Sequence, residues 1–427
     1  MIDVSTLLNH YKRQDIQKAI LAASQGREIA VRFNDSFGAR PNVLKYERDI
    51  LEFAKQGATS FHCSEELWKD PMHLTTEMAR KEQDELRIGW DLVLDVDCSI
   101  LDYSKIAADL IVKSLHRHGI TSCSAKFSGN KGFHIAVPYE AFPKSVSGQE
   151  TRLLFPEAPK RIAYYLRELI RKHLAEKIME LEGREISKVA ERTGKQVSDI
   201  LIKAGREPQL NVESFLNIDT VLISSRHMFR MPYSLHEKSG LVSMPLDPDK
   251  ILEFKREDAT PKGLQIPSFV FLDRHVKGDE ARKLLIQAYD TITEEKPTGK
   301  VAREVEIPDK AVPEELFPPC MKKILGGLDD GRKRGVFILV NFLSCMGWSY
   351  QMIEDRLRKW NALNREPLRE VYILGQIKSH QQHKKKVLPP NCANKAYYSD
   401  MGVKCEEGIC SRCKNPVNYV RRQRQKA

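Results

Sequence analysis

Nowhere in the chain do 18 apolar residues run together, so no segment reads as a membrane-spanning helix. The opening MIDVSTLLNHYKRQD has neither the layout of a signal peptide nor a lipidation site. These absences predict a soluble, cytoplasmic protein with no membrane partner. No internal repeat occurs, which argues against stacked-repeat architectures. Cysteine is sparse: of nine, Cys63, Cys98, Cys123 and Cys345 stand alone in apolar or strand-like surroundings and read as small buried hydrophobes. The other five, Cys320, Cys392, Cys405, Cys410 and Cys413, belong to the C-terminal part, and in an intracellular chain such a cluster signals metal more often than disulfide. Acid is the scarcer charge, 58 Asp and Glu against 69 Lys and Arg, leaving a net +11 that favours a polyanionic partner without naming one.

What is present is a chain of 427 residues with 41% hydrophobic residues, enough for two or three domains with proper cores. Helical spacing runs through Leu7, Leu8, Tyr11, Ile16, Ala19, Ile20 and Ala23, so residues 1–25 read as helix. Strands are expected at 27–33 and 90–97, a hairpin at 124–138, and a strand-like run within 219–234. Further helices are expected at 46–56, at 104–118 with Ser104 as cap, over 158–204 and around 279–290. Residues 291–315 are polar, carry three prolines and lack periodicity, so they read as a linker. The expected organisation is α+β: a mixed-sheet core in 1–290, the linker, and a mostly helical cysteine-rich domain in 316–427.

The stretch DLVLDVDCSI, residues 91–100, poses the functional question. On a strand, Asp95 and Asp97 point to the same face, where each carboxylate raises the cost of ionising the other. A divalent cation between them resolves that cost. Two further segments can join the same cleft: the hairpin with Ser128, Gly129, Lys131 and His134, and the run Asp219, Arg230, His236. Carboxylates for hard cations beside donors for phosphates are the equipment of nucleotidyl transfer. Each piece alone has an ordinary reading, as a solvated strand end, a plain hairpin or a turn aspartate. Their joint presence and order give the stronger one.

The segments DLVLDVD, FSGNKGFHIAV and Asp219 followed by HMFRMPYSLHEKSG resemble three successive motifs of the archaeo-eukaryotic primase superfamily, above all its catalytic small subunit. REIA with Arg40-Pro41, and FHCSEELWKDP, are similar to that subunit's N-terminal region, so the resemblance covers most of residues 1–250. It implies a mixed-sheet core in which Asp95, Asp97 and Asp219 hold Mg²⁺ or Mn²⁺. Ser128, Gly129, Lys131 and His134 would bind the phosphates, with Arg230, His236 and Lys238 lining the nucleotide site. His227 is a secondary candidate, equally readable as a packed strand histidine. Two departures stand out. The hairpin carries Asn130-Lys131 where the family more often has an arginine, so the bidentate fork is missing. The zinc-binding insertion usual between the first two motifs is absent, because about 30 residues separate them.

Four thiolates suit tetrahedral zinc or a [4Fe–4S] cluster, and the spacing of the C-terminal cysteines excludes a simple zinc finger. FPPC, the helical GVFILVNFLSCMGWSYQMIEDRLRKW, LPPNC and CKNPVNY resemble the C-terminal domain of the primase large subunit. That resemblance implies a cluster on Cys320, Cys392, Cys405 and either Cys410 or Cys413, in a domain that contacts template and initiating nucleotide. RLRKWNALNREPLRE also resembles helical domains that follow primase cores in plasmid and phage replication proteins. Among the basic runs, Arg332-Lys333-Arg334 and Lys384-Lys385-Lys386 are the candidate DNA contacts.

The expectation is a single-chain, monomeric DNA primase, archaeal or from a mobile element. It would start primers on single-stranded DNA from NTPs or dNTPs, with replisome proteins as further candidate partners. Two rivals remain: a repair or translesion polymerase of the same superfamily, and a non-catalytic DNA-binding replication subunit.

Overall fold

A computed structural model describes residues 2–33, 36–75, 78–204, 207–218, 223–291, 308, 310–382, 387–394, 397–403, 410 and 413–424. The chain forms two compact units, Met1–Glu294 and Glu295–Ala427.

In the first unit, α1 (Val4–Tyr11) and α2 (Gln14–Ala23) stand where one helix was expected; extended Arg13 breaks the run between them. They precede β1 (Ile29–Phe33), β2 (Ser36–Phe37), α3 (Glu47–Lys55), β3 (Ala58–Ser64) and β4 (Glu66–Trp68). Next come α4 (Arg80–Leu86), β5 (Arg87–Trp90), β6 (Leu92–Cys98), α5 (Leu101–Arg117), β7 (Ser124–Phe127) and β8 (Gly132–Val137). Two short strands follow, β9 (Ser145–Val146) and β10 (Gln149–Glu150), and then α6 (Glu157–Leu181) and α7 (Ile186–Thr193). The unit closes with β11 (Leu201–Ala204), β12 (Glu207–Leu210), β13 (Leu216–Ile218), β14 (Met228–Arg230), β15 (Pro245–Leu246) and α8 (Arg282–Asp290).

Two sheets carry the architecture, one ordered β14-β3-β1-β2 and the other β13-β6-β8-β7-β15. Strand alternation divides the five-stranded sheet into two faces. Leu92, Leu94, Val96 and Cys98 of β6, with Phe133, Ile135 and Val137 of β8, pack into a core with α5 and α6. Val93 and Ala136 belong instead to the core of the four-stranded sheet, among Val31, Phe61 and Phe229. Asp95 and Asp97 share parity with Val93, so period two aims both carboxylates toward the side of the second sheet.

Two expectations need correcting. The helix after β6 begins at Leu101, three residues before Ser104, so Ser104 is no cap; it is buried in the first turns and donates its Oγ–H to Lys131 O at 2.9 Å. The long helix expected over 158–204 ends at Leu181, where the chain turns through Gly183 and Arg184 (φ 65° and 63°), and the region continues as α7 and β11. A Lys/Arg/Glu/Leu-rich composition does not reveal such a break, because it suits either side of a turn.

The second unit is helical: α9 (Pro319–Leu325), α10 (Arg332–Cys345), α11 (Tyr350–Ala362), α12 (Glu370–Gln382) and α13 (Pro416–Arg424). Ten of the eleven residues from Gly335 to Cys345 are buried, which makes α10 its central helix. Trp360 is fully buried in the core and donates its indole N–H to Ile324 O at 2.7 Å. Val312, inside the stretch read as linker, is buried in this unit and bonds Met346 O through its N–H at 2.9 Å. The rest of that stretch, apart from residues 308 and 310–315 and Thr291, lies outside the described residues. No helix among the described residues is long and apolar enough to cross a membrane.

Candidate active site

The hairpin β7–β8 is set beside β6 with Asp95 opposite His134 and Asp97 opposite Gly132. That register requires glycine at 132: a Cβ there would lie 2.2 Å from Val96 O and 3.0 Å from Asp97 Oδ1. The tip requires it at 129 as well, where φ is +101° and a Cβ would lie 2.8 Å from His236 Cβ. The two glycines of the SGNKG motif therefore bring the carboxylate strand and the third motif into contact with one hairpin.

A cavity of about 260 Å³ opens at this junction. Asp95, Asp97, Ser128, Lys131, His134, Arg230 and His236 line it together with His62, Glu65, His227 and Phe229. Asp95 and Asp97 keep 49% and 41% of their side chains exposed, so both carboxylates are open to the cavity. Lys131 Nζ stands 3.7 Å from Asp97 Oδ2, and His134 Nε2 stands 3.6 Å from Asp95 Oδ1. Burial, reinforced by the charges of Lys126 and Arg230, holds His134 well below the ordinary histidine range, so it is neutral. Its Nδ1 is buried without a hydrogen-bond partner, an orphan of the kind that marks functional sites.

The third motif enters through a network of ion pairs. Glu28, the residue before β1, receives bidentate pairs from Arg40 (3.0 and 3.2 Å) and Arg226 (2.9 and 2.5 Å), while Arg226 N–H bonds Glu66. This fixes the chain just before β14, whose Arg230 donates to Leu235 O and to Glu237 Oε2, both at 2.7 Å. Burial is the main force lowering the Arg230 pKa, countered by Glu237. Burial and then Arg230 lower His236 to about 4, and its Nδ1 accepts from the N–H groups of Lys238 and Ser239 at 3.3 and 3.4 Å. His227 Nδ1 lies 2.9 Å from Glu65 Oε1.

Seven of the predicted residues and the secondary candidate His227 thus converge. Gly129 shapes the site without lining it. Lys238 is exposed and contributes its backbone N–H to the turn at His236. Asp219 lies outside the described residues; Ile218, the residue before it, pairs with Val96. Sequence reasoning missed His62, Glu65 and Lys126. Lys126 carried a usable signal, since two residues before Ser128 on a strand is the same face.

For a divalent cation the donors present are hard oxygens on one strand face, the right chemistry for Mg²⁺ or Mn²⁺. Among the described residues no group of three or more His, Cys, Asp and Glu side chains is placed to hold a metal ion. In the second unit Cys392 N–H bonds Lys414 O and Cys413 N–H bonds Cys410 O, each at 2.9 Å. Asn415 donates to Pro389 O at 2.7 Å and to Asn391 Oδ1 at 3.2 Å, strapping the LPPNC and CKNP segments together. Burial and the neighbouring thiol groups of Cys320 and Cys392 raise the Tyr398 pKa, so those two cysteines share one neighbour. Cys405 lies outside the described residues, as do Lys384, Lys385 and Lys386. Arg332 is paired with Glu366 at 3.1 Å, Arg334 lies 4.0 Å from Asp330, and Lys333 lies over the Tyr372 ring at 5.5 Å.

Residues 91–248 match the family of DNA primase small subunits, a span holding β6, the hairpin and the third motif. Among solved structures, the polymerase domain of Ligase D from Mycobacterium tuberculosis in complex with DNA is similar at 14% identity, covering 67% of this chain and 89% of that one, with a TM-score of 0.37. No curated protein sequence matches the chain.

Proposed function

We propose that the first unit is a primase-type nucleotidyltransferase and that the whole chain starts primers on single-stranded DNA from NTPs or dNTPs. The observation that carries this reading is the single cavity in which Asp95 and Asp97 face Ser128, Lys131, His134, Arg230 and His236. Asp95 and Asp97, with Asp219 as third carboxylate, would hold Mg²⁺ or Mn²⁺, which neutralises charge at the α-phosphate and eases ionisation of the attacking 3′-hydroxyl. Lys131, Ser128 and the amides of the hairpin tip bind the triphosphate. Neutral His134 and His236 orient it by hydrogen bonds without competing with the cations for the carboxylates. The 3′-oxygen bonds to the α-phosphorus as the bond to the β-phosphate breaks, and pyrophosphate leaves.

The second unit is the candidate initiation module. Cys320, Cys392, Cys405 and either Cys410 or Cys413 would hold a [4Fe–4S] cluster or zinc, supported by the strapped LPPNC and CKNP segments and the shared Tyr398 neighbour. Arg332, Lys333, Arg334 and Lys384 to Lys386 would track template phosphates.

A primer-free synthesis assay on anaerobically purified protein tests this. Short products that vanish in Asp95→Ala are expected, while Cys392→Ser extends a supplied primer and fails to start one. Extension without initiation in the wild type would make the chain a repair-type polymerase. No synthesis under any condition would leave a DNA-binding subunit and overturn the reading.

A further inference from the structure

Lys126 is a buried cation on the catalytic face that the reading above leaves without a task. In the five-stranded sheet Lys126 is opposite His134, and His134 is opposite Asp95. The three side chains form one cross-strand row on the face that carries the carboxylates. Lys126 is 0% exposed, and its ammonium meets the Ser243 hydroxyl at 2.8 Å and two ring faces, Phe271 at 5.2 Å and Phe229 at 5.9 Å. Phe229 in turn lines the cavity.

Such a setting stabilises an ammonium poorly. One hydroxyl and two aromatic faces do not replace its hydration, and burying an ion is expensive unless an opposite charge answers it. The charged and titratable groups that act on it are Arg230 on β14, Asp95 on β6, and Cys63 and His62 on β3, with His134 beside it on β8. Burial and then Arg230 lower its pKa to about 7, and Asp95 pulls it back up. A methionine would fill the same space without the charge, so the fold alone gives no reason for lysine here.

We propose that Lys126 is a positioning residue of the candidate site, a buried positive charge behind His134 that strengthens the hold on the incoming triphosphate and weakens the hold of Asp95 and Asp97 on divalent cations. The inference rests on the cavity being a nucleotide site. Its physics is the sign of one charge. An ammonium two strand spacings from Asp95, about 10 Å, repels a cation and attracts a triphosphate, and buried charges are little screened by salt.

The test uses the full chain and Lys126→Met at about pH 6.5, just below the lysine's own transition. Mn²⁺ binding is read by the loss of the free-ion paramagnetic resonance signal without nucleotide. Nucleotide binding is read with a fluorescent nucleoside triphosphate in Ca²⁺, so no turnover intervenes. In Lys126→Met, Mn²⁺ binding tightens and nucleotide binding weakens, each by about three- to ten-fold, as a single partly screened charge allows. The melting temperature stays level or rises, because a buried charge has been removed. Lys126→Gln, which keeps a hydrogen-bonding group near Ser243, shows the same opposed shifts. The proposal is overturned if both affinities stay within about two-fold of wild type, or if both weaken together with a lower melting temperature. It is equally overturned if Lys126→Gln behaves as wild type, since the hydrogen bond would then be the operative feature. A wild-type chain that binds neither Mn²⁺ nor nucleotide brings down the nucleotide-site reading and this inference with it. A wild type that binds both, with variants that show no opposed shifts, brings down the inference alone.

Discussion

The carboxylate site of the first unit and the cysteine region of the second are built on different supports. Asp95, Asp97, His134 and Lys126 sit on paired strands whose register fixes which side chains are neighbours. Among the described candidate ligands, Cys320 is on an α-helix, while Cys392, Cys410 and Cys413 lie outside the α-helices, in segments tied by Asn415 and backbone bonds. A sheet face presents a site before any ligand arrives. A set of loop thiols takes much of its definition from what it binds, because metal binding and local folding share one free energy. The first site should therefore depend on side-chain chemistry and the second on metal loading.

The largest effect that sharpens this contrast is chemical. Asp95→Ala or Asp97→Ala should lower primer extension by about 10³-fold, the several kcal/mol that metal charge stabilisation is worth, with far-UV dichroism and melting unchanged. Chelation of metal from the cysteine region, followed by removal of the chelator and restoration of Mg²⁺, should instead lower the melting temperature of the second unit and leave extension in place. Were the chelated chain to melt as before, the contrast in support would be broken.

Backbone geometry comes next. Gly132→Ala places a methyl 2.2 Å from Val96 O, so β8 must shift away from β6. Denaturant unfolding should show a loss of about 1–3 kcal/mol, with synthesis falling further than stability because His134 on β8 is drawn away from Asp95 on β6.

Acid should act on the first unit through its buried histidines. Burial lowers His10, whose ring bonds Tyr233 O at 2.8 Å, to about 4, and also lowers His62 and His134. The unfolded chain takes up these protons near its own pKa of about 6.5 and the folded chain resists them. Stability is therefore full above about 6.5 and declines as pH falls toward 4, by on the order of 3 kcal/mol for His10 alone. His10→Gln should flatten that decline in pH-resolved thermal melts; an unaltered slope would show that His10 contributes nothing to it.

The smallest effect belongs to the helix-end cations. Arg332→Ala should weaken single-stranded DNA binding a few-fold and reduce the salt slope by about one. A loss of stability without a change in salt slope would assign Arg332 to its pair with Glu366 instead.

Much of the first site was legible because period two is a rigid rule. Asp95 and Asp97 share a face wherever the strand forms, and the glycines of SGNKG announce a tight hairpin. Glu65, His62 and the Glu28–Arg226 pairs were not legible, since residues 160 or more positions apart meet only through sheet pairing. Ser104 was misplaced because a helix start is a weak signal, and its true partner, Lys131 O, lies 27 positions away.

The sequence alone determined the chemistry available: paired carboxylates on one strand face, a glycine-tipped hairpin with phosphate donors, and thiols gathered near one end. Those are consequences of residue type and local period, which act over a few residues. Only the tertiary structure decided that the hairpin, β6 and β14 close on a single cavity, and that Lys126 is sealed beneath it. Burial and the charges around a group are properties of the assembled fold, and they set His134 neutral and bring Lys126 to the edge of losing its proton.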